Sequence, residues 1–120
     1  MNEGGVEGTC HCGAVTVRMA TRPDEVTQCN CSICTKLGWR LVYGASDTVE
    51  VSGKCDDYVR ADLSETFLAV HRCAKCGVAT HWTLLSPPPH ERIGVNAALF
   101  DESVIAGAAI RIVDGRSWAK

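Results

Sequence analysis

The sequence predicts a mainly β protein of one domain, residues 1–120, and three observations carry that reading. Short runs of β-branched and aromatic residues recur at roughly ten-residue spacing, cut by Gly, Asp, Ser and Pro. Helical periodicity is scarce. Eight cysteines lie in 120 residues, seven of them in three tight groups, which points to metal cross-links supporting a modest core.

In chain order the strand signals are Ala14 to Met19, Leu41 to Tyr43, Val49 to Val51, Asp57 to Arg60, Phe67 to His71, Thr80 to Leu84, Arg92 to Val95 and Ala109 to Val113. About eight short strands so spaced favour antiparallel sheets over alternating βαβ units. A helical turn or two is expected over Cys31 to Leu37, and Leu99 to Ala106 is ambiguous between helix and strand. Ser86 to His90 (SPPPH) reads as a loop, because consecutive prolines cannot donate to a sheet ladder.

Composition narrows the function classes. Hydrophobic residues make up 46% and charged residues 22%, a soluble globular balance, and no apolar run is long enough to span a membrane. MNEGGVEGTC lacks the basic and apolar regions of a secretory signal, so a cytoplasmic location is expected. The formal charge is −2, with basic residues such as Arg18, Lys36, Arg40, Arg60, Arg72, Lys75 and Arg92 scattered along the chain, so no nucleic-acid footprint is visible. Seven thiolates and two zinc ions would together lower that charge to about −5.

In a reducing compartment closely spaced cysteines read as metal ligands or catalytic groups. Cys73 and Cys76 in RCAKCG form a zinc-knuckle pattern, with Gly77 free to take positive φ. The redox reading of CxxC wants a helix N-terminus, and strands flank this one. Cys10 and Cys12 in GTCHCG share a face of an extended chain and make half a site. Pairing them with Cys73 and Cys76 is the economical way to complete a tetrahedral, closed and therefore structural site.

CNCSIC supplies Cys29, Cys31 and Cys34 and leaves a fourth ligand unstated. Cys55 could complete a four-cysteine site, a histidine such as His71 or His81 could serve instead, and an iron–sulfur cluster or a metal-free loop are further alternatives. The favoured reading is an open position, as in catalytic zinc sites. Three thiolates leave the metal a weak Lewis acid but suit a soft fourth ligand, so thiol handling is expected before hydrolysis.

GTCHCG, CNCSIC and RCAKCG, in that order and over about Gly8 to Arg116, resemble the glutathione-dependent formaldehyde-activating enzyme family, whose domain also occurs in centromere protein V. The resemblance implies a zinc-stabilised two-sheet β-tent with little helix and two zinc ions per chain. It implies a structural zinc on Cys10, Cys12, Cys73 and Cys76, and a second on Cys29, Cys31 and Cys34 whose fourth position is open to a thiol. The implied reaction is that of a carbon–sulfur lyase joining glutathione and formaldehyde as S-(hydroxymethyl)glutathione, with a small thiol and an aldehyde as partners. A non-catalytic zinc module that binds a protein partner is the alternative. Lys36, Arg40 and Arg72 are candidate carboxylate contacts, each more simply a solvated charge. Trp39 and Tyr43 are candidate pocket walls or core residues. His71 is a strand histidine or a proton shuttle, His11 points outward, and Asn96 holds a loop or a substrate.

Overall fold

The computed structural model describes residues 5–59, 68–85 and 92–114, which form ten strands and two short helices. The mainly β, two-sheet architecture is the one expected.

The small sheet contains β1 (Val6–Thr9), β2 (Thr16–Met19) and β5 (Val49–Ser52), paired antiparallel in the order β1-β2-β5. Its strands alternate: Val6, Val17, Met19 and Val49 are buried, whereas Glu7, Arg18 and Glu50 line the solvent side. The Arg18 guanidinium bridges Glu7 at 2.9 Å and Glu50 at 3.9 Å. Exposed cross-strand pairs of this kind help set register and contribute little to stability.

The large sheet has the order β10-β3-β4-β9-β8-β7-β6, built from β3 (Glu25–Cys29), β4 (Leu41–Ala45), β6 (Cys55–Val59), β7 (Leu68–Cys73), β8 (Ala79–Leu84), β9 (Arg92–Asn96) and β10 (Ala109–Val113). Its inner face turns Val26, Val42 and Val95 onto Val6, Val17, Met19 and Val49 of the small sheet, with Leu99 and Phe100 closing the layer. Gly8 is required there, because a Cβ would collide with the Leu99 carbonyl group at 2.7 Å.

Its outer face carries Leu41, Tyr43, Val70 and Trp82, covered by α1 (Ser32–Leu37) and Trp39. Central strand β4 is therefore apolar on both faces, which explains the unbroken LVY run at its start, whereas β8 and β9 also bury Thr80, His81 and Asn96. α1 ends at Gly38, whose φ of +69° and N–H bond to the Cys34 carbonyl make a left-handed cap.

Several expectations change. The strand read from Ala14 starts at Thr16, because Gly13 turns at φ +84° and the Val15 N–H donates to the Cys10 sulfur instead of a ladder. Two strands carried too little pattern to be read. In VEGT a glycine dilutes the β signal, and polar EVTQC is a strand because β4 and β10 flank it. β10 pairs with β3 in parallel, the one exception to antiparallel pairing among the described strands. The ambiguous Leu99 to Ala106 stretch resolves into a 3-10 turn at Ala97–Leu99 and α2 (Glu102–Ile105). The SPPPH loop, Arg60, Phe67 and Arg116 lie outside the described residues.

Gly94 faces Trp82 directly, and a Cβ there would collide with the indole at Nε1, Cε2 and Cδ1. Gly94→Ala is expected to destabilise the protein by about 1–3 kcal/mol through overpacking, read as a lower urea midpoint with a shifted tryptophan emission. Unchanged stability would show that Trp82 does not occupy this position.

Candidate metal centre

Two cysteine groups bring their sulfurs together, each group within 4.8 Å: Cys10, Cys12, Cys73 and Cys76, and separately Cys29, Cys31 and Cys34. No other His, Cys, Asp or Glu ligand atom joins either group among the described residues.

The four-sulfur group joins the two sheets. Cys10 and Cys12 follow β1 of the small sheet, while Cys73 ends β7 of the large sheet and Cys76 lies in the turn to β8. The Cys12 sulfur is 3.7 Å from those of Cys10 and Cys73. Four sulfurs around zinc at about 2.3 Å would be separated by about 3.8 Å at the edges of the tetrahedron, so the spacing fits that ion. Backbone N–H groups also point at the sulfurs: Val15 to Cys10 at 3.3 Å, and Lys75 and Cys76 to Cys73 at 3.3 and 3.4 Å. They stabilise thiolate charge. The N–H of Val78, then that of Cys12, holds Cys76 down at about 6. Cys12 rises to about 11, the Ala14 N–H being outweighed by burial and the neighbouring thiols. Adjacent thiols that cannot all ionise unaided are a donor set for a cation.

Cys55 pairs with Cys73 across β6 and β7 and packs beside this group, with its sulfur 3.9 Å from the Thr80 hydroxyl. Burial pushes its thiol up. It is remote from CNCSIC in the fold.

The three-sulfur group is built at the end of β3 and the first turn of α1. Cys31 and Cys34 are three apart, hence on one helical face, and both are buried. Burial drives the Cys34 thiol up to about 12 and raises Cys29 as well. The Trp39 indole N–H is near enough to favour the Cys34 thiolate, yet it is buried and makes no hydrogen bond. A buried donor beside a sulfur, with no other acceptor, fits a group that is thiolate when a metal is held. The walls are Trp39, Leu41, Tyr43, Val70 and Trp82, with Tyr43 edge-on to Trp82 at 5.8 Å. Trp39 is thus at once a wall and a core residue, and Tyr43 is half-buried.

The described histidines belong elsewhere. Asp57, His71, His81 and Val95 are paired across β6 to β9 and share the inner face, opposite the three-sulfur group. His71 Nδ1 donates to the Asp57 carboxylate at 2.6 Å, and its Nε2 is 2.7 Å from the Thr83 hydroxyl. The Thr80 hydroxyl donates to the His71 carbonyl at 3.2 Å, which makes His81 Nδ1 the donor in its 2.7 Å contact with Thr80. His11 is exposed. The Asn96 amide donates to Ala79 and its oxygen accepts from Ala98, which is the loop role. Lys36, Arg40 and Arg72 are exposed.

A cleft on the solvent side of the small sheet is lined by Glu7, Asp47 and Glu50, and its cation, Arg18, is already paired.

The glutathione-dependent formaldehyde-activating enzyme family model matches residues 5–113, a span that includes all seven of these cysteines. The chain belongs to this family. A crystal structure of a Rhodobacter sphaeroides protein is similar at 26% identity with a TM-score of 0.64, covering 88% of this chain and 98% of that one.

Cys12 and Cys73 are 61 residues apart, and closing such a loop removes about 4 kcal/mol of unfolded-state entropy if it acts like a covalent cross-link. Against a net stability of about 5–15 kcal/mol that share is large. Cys73→Ser is expected to destabilise by more than about 4 kcal/mol, seen as loss of the cooperative thermal transition; native melting would contradict the cross-link. His81 supplies a pH test. Burial, then His71, lowers it from 6.5 to about 4, so the unfolded state binds more protons between these values. Stability should fall as pH drops from about 6.5 to 4, by up to about 1.4 kcal/mol per pH unit. His81→Gln should flatten that slope in urea titrations, and an identical slope would contradict a neutral buried ring.

Proposed function

We propose that the protein is a zinc-dependent carbon–sulfur lyase that joins a small thiol, of which glutathione is the model, to formaldehyde or a related aldehyde. One contrast supports this most strongly. One cysteine group offers four sulfurs and is complete, whereas the other offers three sulfurs beneath aromatic walls, with no fourth ligand among the described residues. Cys10, Cys12, Cys73 and Cys76 hold the structural ion in this reading, and Cys29, Cys31 and Cys34 hold the second.

The second zinc, when bound, supplies positive charge that favours the substrate sulfur as thiolate. The buried Trp39 N–H, which makes no hydrogen bond, is the donor that would turn to the Cys34 thiolate as the site fills. Trp39, Tyr43 and Trp82 exclude water on one side, which strengthens electrostatics within the site. In the joining direction the thiol loses its proton and its sulfur attacks the carbonyl carbon. A carbon–sulfur bond forms, the carbonyl π pair moves onto oxygen, and a proton arrives there to give the hydroxymethyl thioether. No redox change occurs. The lyase direction is the reverse.

A protein-binding zinc module is the second reading, supported by Ile110 and Ile112, which stand 59% and 68% exposed on edge strand β10. Zinc content and adduct formation separate the two. The enzyme should hold two zinc ions per chain, and Cys31→Ser should hold one, keep its fold and lose at least about tenfold in the rate of hydroxymethyl thioether formation followed by NMR. Two zinc ions with adduct formation at the uncatalysed rate would favour the module. One zinc and no effect of Cys31→Ser would remove the open site.

A further inference from the structure

The outer face of the large sheet carries two arginines with no place in the cysteine chemistry. Tyr43 pairs with Gly94 and Ala45 with Arg92, so Arg92 projects on the same face as Tyr43, and its guanidinium carbon lies 4.4 Å from the centre of that ring. Tyr43 in turn packs in the cluster that holds Cys29, Cys31 and Cys34. On the other side, β10 runs parallel to β3, with Val113 opposite Cys29 and Arg111 opposite Thr27. Arg111 is therefore one rung from Cys29 on its face, about 8 Å between Cα atoms by strand geometry.

Among the described residues neither arginine is in an ion pair, although Glu25 lies one rung from Arg111 on that face. Between Arg111 and Leu41 in the ladder sits Thr27, 2% exposed, with a hydroxyl that has no hydrogen-bond partner. Arg111 is thus an exposed cation beside a buried unpartnered hydroxyl, and Arg92 is an exposed cation held over the Tyr43 ring, so each offers donors to an acceptor-rich ligand. The acidic cleft over the small sheet, with its paired Arg18, offers nothing comparable.

We propose that Arg92 and Arg111 are positioning residues that bind carboxylate on the thiol substrate, so that the three-cysteine site selects anionic thiols over neutral ones. This rests on the three-cysteine group accepting a thiol. Arg111 on β10 lies one rung from Cys29, whereas Arg92 on β9 lies over Tyr43 at another edge of the cluster, and two separate cations suit a thiol that carries two carboxylates. The sulfur would be held between two anchors, which fixes its approach to the aldehyde.

The test uses the two-zinc protein and two thiols of similar size, 3-mercaptopropionate and 2-mercaptoethanol, with glutathione and its diester as the larger pair. Binding is measured by calorimetry at low and high salt. The acid should bind at least about tenfold more tightly than the alcohol, glutathione more tightly than its diester, and both preferences should shrink in salt. Arg111→Gln and Arg92→Gln should each reduce the preference about tenfold and raise KM for glutathione more than they lower kcat, while zinc content and melting stay native. Arg111→Lys should recover part of it. Equal binding of acid and alcohol, with both glutamine variants unchanged, would overturn the arginine assignment and leave the thiol site standing. Binding of neither thiol to the two-zinc protein would overturn both.

Discussion

The meeting of four sulfurs from two sheets is the constraint on which the rest of the structure depends. The small sheet has only three strands of four residues, and an isolated sheet of that size is marginal in water. Its valines have a single place to go, the inner face of the large sheet. Packing alone leaves the hinge between β1 and β7 to the turn residues around Cys10 and Cys73. Backbone N–H groups there are spent on sulfur rather than on ladders, so thiolate charge and the cation that balances it would add to the order of these turns. The fold and the first ion are one thermodynamic unit in this account.

That closed site frees the other face. With the inner face committed to the small sheet, the outer face of β3, β4, β8 and β9 can collect groups from distant parts of the chain: Cys29 and α1, Tyr43, Trp82, Arg92 and, through the parallel strand β10, Arg111. Gly94 lets Trp82 lie across β9 toward Tyr43, since any side chain there would occupy the indole position. The two cysteine groups differ in their placement, one between sheets and one on a face covered by a six-residue helix.

The cysteine groups were the most legible feature of the sequence, because their chemistry depends on residue type and close spacing. The grouping of Cys10 and Cys12 with Cys73 and Cys76 could be argued from ligand counting before any fold was known. Strong alternating runs such as TVRM and AIRIV declared themselves as strands. VEGT and EVTQC did not, because neighbours rather than propensity make them strands. Lys36, Arg40 and Arg72 drew attention through nearness in sequence to the motifs, whereas Arg92 and Arg111 reach the site through strand order. Nothing in a linear reading distinguishes them from solvated charges. Trp82 was hidden in the same way, by the β3-β4-β9-β8 adjacency.

The central claim is that one metal position is saturated by protein sulfur and the other is open to a thiol. Cadmium NMR of the cadmium-substituted protein reads each position separately, since the resonance shifts with the number of bound sulfurs. The account predicts two resonances, one unmoved by added glutathione and one displaced toward the four-sulfur position as the thiol binds. Two resonances that both begin in the four-sulfur range and ignore the thiol would contradict it.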